Sequence, residues 1–327
     1  MKYPTRAGAL FASVAMLLSP WTAHAQDDGY PNRTVRIVVP FAPGGSTDVV
    51  ARILADKLGA EFKQTFVVDN RAGAGGNIGA DAVAKAPADG YTLLMATTGV
   101  LAINHHLYKS MPFDAARDFT PVSYTSLITN ILVVPANFPA RSVPELIAAA
   151  KARPGALSFA SSGAGSSTHL SGELFKAMAG VDILHVPYRG SPQAITDVMA
   201  GQVTMLFDNA PSSMPCVQDG KLRALAVTSK KRLPNLPDVP TLDEAGVKGY
   251  ESLSWSGIVA PAATPRAVIL KLNAAIDRIL KTDDVKAKFA ALGVEPVGGP
   301  PEAFANHVRI ENDKWGKVIK NANITLN

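Results

Sequence analysis

One plan occurs twice in this chain: a β-rich run, a loop of small and hydroxyl residues, then an amphipathic helix closed by glycine. In the first copy "VRIVV" (Val35 to Val39) runs into "PFAPGGSTD", and Val49, Val50, Ile53, Leu54 and Leu58 then share one helix face before Gly59. In the second, "LSFA" runs into "SSGAGSSTH", followed by Leu170, Leu174, Phe175 and Met178 on one face and then Gly180. The next units echo too. "TFVVDN", "RAGAGGNIGA", a short helix and "YTLLMAT" are matched by "ILHVPY", "RGSPQ", a helix carrying Ile195, Val198 and Met199, and "VTMLFD". Strands alternating with helices at this spacing predict parallel α/β sheets with right-handed crossovers, and two copies imply two similar domains. "LRALAVTS" reads as a further strand of the second half. "PRAVILKLNAAIDRIL", "TDDVKAKFAALG" and "PPEAFANHVRIENDKWGKVIK" read as three helices that return to the first, with chain crossings near Ser126 to Asn130 and Tyr250 to Trp255.

The 327 residues suffice for two such domains with separate cores. Lys2 and Arg6 precede an apolar run from Ala7 to Leu18 and the small-residue site Ala23-His24-Ala25, the order of a secretory signal peptide cut after Ala25. The apolar run falls short of the roughly 20 residues of a spanning helix. The expected division is therefore 1–25 as signal peptide, 26–127 plus 252–327 as a discontinuous first lobe, and 128–251 as the second. Loss of Lys2 and Arg6 takes the formal charge from +5 to +3, with no Lys/Arg-rich block, so a nucleic-acid partner is not indicated. The single cysteine, Cys216, leaves no intramolecular disulfide and reads as a small apolar residue.

Ligands of open parallel sheets collect outside the carboxyl ends of the strands, where helix N-termini offer unpaired N–H groups and partial positive charge. Both Gly/Ser/Thr loops would lie there, making a pair of anion grips. The stretches Pro40 to Asp48 and Ser161 to Thr168 contain no Lys or Arg, and neutral donors suit a carboxylate better than a multiply charged phosphate. The phosphate-loop pattern is absent, and "GAGGNIG" has the wrong spacing for a dinucleotide fingerprint. Ser46, Thr47, Ser166, Ser167 and Thr168 fit either ligand contact or helix capping. Asp48, four residues before Arg52, reads as half of a structural ion pair. Asn77 either caps its helix or donates into the cleft, and His169 is either a cleft-edge donor or a capping residue.

The alternative function is a secreted serine-dependent hydrolase acting on a small carboxylate ester or amide. "SSGAGSSTHL" lacks the Gly-x-Ser-x-Gly elbow, and His105, His106, His185 and His307 supply no triad signature. No His-x-x-x-His or cysteine cluster points to a metal, and no cofactor is implied.

"VRIVVPFAPGGSTDVVAR", "VVDNRAGAGGNIGADAVAKAPADGYTLLMAT", "FASSGAGSSTHLSGELF", "HVPYRGSPQAITDVMAGQVTMLFD" and "LRALAVTS" followed by "LPDVPTLDEAG" together resemble the Bug-type receptors, periplasmic solute-binding proteins of tripartite tricarboxylate transporters. The similarity runs from about Tyr30 to the C-terminus. It implies an α/β fold of two similar lobes with mainly parallel sheets flanked by helices, of the type II periplasmic binding protein kind, with the ligand cleft between lobes. It also implies a monomeric, non-enzymatic receptor that closes on a small carboxylate and delivers it to membrane transporter subunits. Carried over by motif, Phe41 and Ala42 would be walls of the first lobe, with Gly45, Ser46, Asn77 and Thr98 lining the cleft. Ser161, Ser166, Thr168 and His169 would be carboxylate donors of the second lobe, and Tyr188 and Asp208 would stand at the ends of its next strands.

Overall fold

The structure, a computed structural model, describes residues 29–321 and 323–326, so the expected signal peptide lies outside the described residues. The first repeat comprises β1 (Val35–Val39), α1 (Ser46–Phe62), β2 (Phe66–Asn70), α2 (Asn77–Ala84) and β3 (Thr92–Thr97). A π-helical turn over Gly99–Ile103 and the short α3 (Asn104–Leu107) follow, and β4 (Phe119–Pro135) then crosses to the second half. There α4 (Val143–Ala152) leads into the second repeat, β5 (Ser158–Ser161), α5 (Ser167–Ala179), β6 (Leu184–Pro187), α6 (Ser191–Met199) and β7 (Met205–Asn209), followed by α7 (Ala210–Gln218) and β8 (Leu222–Val227). β9 (Leu253–Pro261) returns, and α8 (Arg266–Lys281), α9 (Asp283–Ala291), β10 (Val294–Pro296) and α10 (Pro301–Asn321) complete the chain.

The strand order is β2-β1-β3-β9-β4-β7-β5-β6, with β8 and β10 also paired to β4. Both repeats therefore build the same sheet, second strand, first strand, third strand, on opposite sides of the crossing strands. The pairs required by the strand-helix alternation are parallel: β1 with β2 and β3, β5 with β6 and β7. Every antiparallel pair involves β4 or β9. β4 serves both lobes: up to Thr129 it pairs with β9, and from Asn130 onward with β7 and β8.

Strand pleat distributes the core over both sheet faces. Val35, Ile37 and Val39 of β1 pack with α1, α8 and α9, while Val38 faces the cluster that includes Phe304 and Trp315 of α10. In β7, Met205 and Phe207 face the α4 and α5 side, and Leu206 faces α6 and α7. Each lobe is thus a sheet between helical layers, which leaves the carboxyl strand ends and the loops beyond them free to meet across the cleft.

Candidate functional site

Four helices begin at one small chamber between the lobes. Gly45, Ser46 and Thr47 line it from α1, Ser166 and Ser167 from α5, Ser191 from α6 and Asn209 from α7. Phe41, Ile128 and Trp255 are its apolar walls, and Thr97, Ser254 and Ser256 add hydroxyls from β3 and β9. None of the lining residues is Lys, Arg or His. No side chain caps α1, α6 or α7, so their first turns keep the positive end charge of a helix start and, apart from Pro192 and Pro211, which have no N–H, its donor capacity. The hydroxyls of Ser46 and Thr47 make no hydrogen bond among the described residues, and Thr97 Oγ1 is buried without a partner. The chamber's volume is about 30 Å³, more than the roughly 10–15 Å³ that one water needs on the same measure. A second space of about 640 Å³ lies beside it, lined by Phe41, the glycine turn Gly73 to Gly76, Tyr108, Ala164, Tyr188 and Arg189 among others.

A second layer of side chains fixes the helix starts. Asp208, fully buried at the end of β7, accepts from Ser191 Oγ at 2.5 Å and Ser213 Oγ at 2.6 Å, tying the starts of α6 and α7 together. Burial pushes its carboxyl up to about 6 against the pull of these hydrogen bonds. Because Ser191 gives its hydroxyl proton to Asp208, it offers the chamber its backbone amide rather than its side chain. Around α1, Asp48 accepts from Gly44 N, Arg52 Nε and Asn70 Nδ2, each at 2.9 Å. Burial raises its carboxyl, but these hydrogen bonds outweigh it and hold the group below the usual carboxylate range. Trp255 is pinned from both ends: its N–H donates to Thr98 Oγ1 at 2.9 Å, and its indole donates to Glu311 Oε2 at 3.1 Å.

The model of the tripartite tricarboxylate transporter family receptor matches residues 50–324. The chain belongs to that family. Protein BugT of Bordetella pertussis is 38% identical to this receptor over 318 residues, covering 97% of this chain and 96% of BugT. Among solved structures, R. palustris Rpa4515 with adipate is 45% identical with a TM-score of 0.88, over 90% of this chain and 99% of that one. MatC (Rpa3494) from Rhodopseudomonas palustris with bound malate is 33% identical with a TM-score of 0.85, over 89% and 100%. The two-lobed α/β fold of periplasmic binding proteins is thereby shared.

Within the receptor, Phe41, Gly45, Ser46 and Ser166 line the inner chamber, and Phe41 and Tyr188 line the outer space. Tyr188 donates its hydroxyl to Asp197 at 2.7 Å. The other sequence-derived positions lie outside the lining of both, each for a visible reason. Ala42 faces Gly190 across the cleft rim. Asn77 is held by Asn104 Nδ2, which donates to its Oδ1 at 2.6 Å, and Thr98 is occupied by Trp255. Thr168 Oγ1 accepts from Ser162 N at 3.0 Å, bracing the loop from inside. His169 Nδ1 accepts from Gly165 N at 3.2 Å, which places its proton on Nε2, and its ring stacks on His185 at 4.0 Å. Ser166 caps α5, accepting from His169 N while donating to Gly163 O at 2.6 Å. Sequence reasoning missed Ser191 and Asn209, although both stand at strand-to-helix junctions and Ser191 lies in the quoted loop "RGSPQ", and it missed Ser254 and Ser256, which no local motif marks.

Ser161 forms the one side-chain Ser–His hydrogen bond among the described residues, to His185 Nε2 at 2.7 Å. Its hydroxyl is fully buried beneath the loop and away from both spaces. Burial, with a smaller contribution from Lys176, pushes His185 down to about 4, so this imidazole is a weak base at neutral pH. The pair has neither the access nor the basicity of a nucleophile and its base.

Proposed function

We propose that this receptor works in the periplasm, where it captures a small carboxylate without transforming it and presents it to the membrane subunits of a tripartite transporter. The observation that carries the reading is the convergence of four helix starts on a chamber with no cationic side chain. One carboxylate group would be held there by the first-turn amides of α1, α5, α6 and α7 and by the Ser46 and Thr47 hydroxyls, between Phe41 and Trp255. The rest of the ligand would extend into the outer space, past Tyr188. Adipate in Rpa4515 and malate in MatC support a dicarboxylate of about this size. Thr98, Ser161, Thr168, His169 and Asp208 would then shape the site without touching ligand. Export with cleavage after Ala25, a monomeric state, and lobe limits at 26–127 plus 252–327 and 128–251 complete the proposal; the partner change in β4 after Thr129 supports the last.

The test is thermal unfolding and calorimetry with adipate, malate, their diamides and neutral sugars. A ligand that binds only the folded state adds about 2.7 kcal/mol of stability at 100 times its dissociation constant. Acids should stabilise and their diamides should not, and each acid should be recovered unchanged. Equal stabilisation by diamides or sugars would refute the anion reading, and turnover of an ester would restore the hydrolase.

A further inference from the structure

The two lobes meet along a line of glycines, and at Gly75, Gly99, Gly165 and Gly190 the residues opposite leave no room for a side chain. Gly99, at the start of the π-helical turn after β3, faces the second lobe: a Cβ there would lie 2.9 Å from Gly165 O and 3.5 Å from Ser166 Cα. A Cβ on Gly75 would run into the Ala164 carbonyl, and one on Gly165 into the side chain of Asn104. A Cβ on Gly190 would lie 2.9 Å from Ala42 Cβ, and one on Gly44 would be 3.6 Å from Pro192. At this line Tyr108 Oη donates to Ala164 O at 3.1 Å, beside other inter-lobe side-chain bonds such as Ser167–Ser254 and Asn235–Ala291. Tyr108 and Ala164 also line the outer space, so this bond stands in the wall of the space into which the ligand would extend. Asn104 Oδ1, buried and without a partner, lies beside Gly165 on the same line.

We propose that this glycine seam, with Tyr108 as its bridge, is the latch that holds the lobes together over bound ligand. Tyr108 is a positioning residue that sets how long the ligand stays. The proposal rests on the reading of the chain as a receptor that closes on its ligand. The contacts themselves are made by protein atoms alone, so they favour approach of the lobes with or without ligand.

Gly99 gives the cleanest probe. Gly75, Gly165 and Gly190 have positive φ, so alanine there strains the backbone as well as the seam. Gly99 is absent from the left-handed region, and its nearest obstructing atoms all belong to the second lobe. Gly99→Ala should therefore leave the melting temperature of the protein without added ligand unchanged or slightly higher. The distance between the lobes would be read by spin labels on Lys85→Cys and Thr196→Cys, exposed positions just after α2 and on α6, in a Cys216→Ser background. In the wild type a short-distance population should be present, and adipate or malate should enlarge it. Gly99→Ala should deplete it, and the affinity for whichever acid binds should weaken about tenfold or more, in proportion to the lost closed fraction. Tyr108→Phe should leave association unchanged and speed dissociation about threefold to tenfold, as loss of one neutral hydrogen bond requires. Gly99→Ala with the wild-type distance distribution, or Tyr108→Phe with wild-type dissociation, would overturn the latch. So would a wild-type protein with no short-distance population under any of the three conditions. If neither acid raises the melting temperature while the short distance is present and Gly99→Ala abolishes it, the latch stands and the carboxylate reading fails.

Discussion

Ser46 and Ser213 are both buried hydroxyls near the helix starts, yet their partners assign them different work. Ser213 donates to the buried carboxylate of Asp208, whereas Ser46 has no internal partner and faces the inner chamber. Ser213→Ala should therefore lower stability by roughly 1.5 to 3 kcal/mol, the cost of a lost hydrogen bond to a charged group, with little change in adipate affinity. Ser46→Ala should do the reverse, with stability within about 0.5 kcal/mol of wild type and binding weakened roughly tenfold or more. Denaturant unfolding beside calorimetry reads both quantities, and a loss of stability in Ser46→Ala with unchanged binding would make that hydroxyl a scaffold residue. The loops that bring Phe41, Gly45, Ser46 and Ser166 to the chamber were legible in the sequence because each joins a strand to a helix, whereas Phe41 and Gly45 themselves were marked only by the family resemblance. Ser254 and Ser256 were not legible, because they stand on a crossing strand and reach the chamber only through its register with β4. Thr97 and Thr98 illustrate the same limit: adjacent hydroxyls on one strand end point to opposite sides, and the chamber received Thr97 while Trp255 took Thr98.

The unit of β5, its loop, α5 and β6 holds two stacked imidazoles under the second anion grip, and their burial makes the element sensitive to acid. Burial, then the neighbouring His185 and Lys176, holds His169 well below its ordinary value, and His185 is pushed down to about 4. From pH 6.5 downward the unfolded chain takes up protons that the native imidazoles refuse, so stability falls until the native His185 titrates near pH 4. Glu173 and Lys176 of α5 are the charged groups beside the pair, and Glu173 Oε1 is 3.9 Å from His169 Nε2, too far for a hydrogen bond. Asp208 acts in the other direction, because its raised value lets the native state bind a proton between about pH 6 and 3.8 that the unfolded chain does not. The depressed imidazoles of His169, His185, His105 and His307 against the raised carboxyls of Asp208 and Glu173 predict a melting temperature that drops between pH 7 and pH 5, and a steeper drop in Asp208→Asn. A flat profile would mean that water reaches the pair. Elements built on alternating apolar runs, including β1, β3, β5, β7 and the three C-terminal helices, were legible for that reason. β4 was not, since "SYTSLITN" breaks the alternation with hydroxyl and amide residues. The structure shows why they are there: Ser126 bonds Ser256 at 2.6 Å, and Asn130 Nδ2 donates to Ser171 Oγ at 2.8 Å, where the strand changes partners.

Over the whole molecule, charge is spread thinly and the inner chamber holds no cation, so binding should depend little on salt. Helix-end charges and amides inside a closed site are screened far less than exposed lysines. The dissociation constant for adipate should change by less than about threefold between 50 and 500 mM salt, an interval over which exposed charge pairs are largely screened. A steep salt dependence in calorimetry would instead assign the main attraction to Arg189 at the outer rim. On the proposed export route, the crossing strands also impose an order of events on a chain that would emerge from the membrane N-terminus first. The second lobe's repeat and β8 come from one unbroken stretch, so that half can gather its sheet while the remainder is still in transit. The first half cannot: β3 waits for β9, and Val38 and Leu94 wait for Phe304 and Trp315 of α10, more than 200 residues downstream. Contacts so distant in sequence form late. Pulsed hydrogen exchange during refolding should protect β5 and β7 before β1 and β3. Until its final helix has arrived, the molecule is half built, with a finished grip on one side and an exposed apolar sheet on the other, and that interval is when a chaperone would find it.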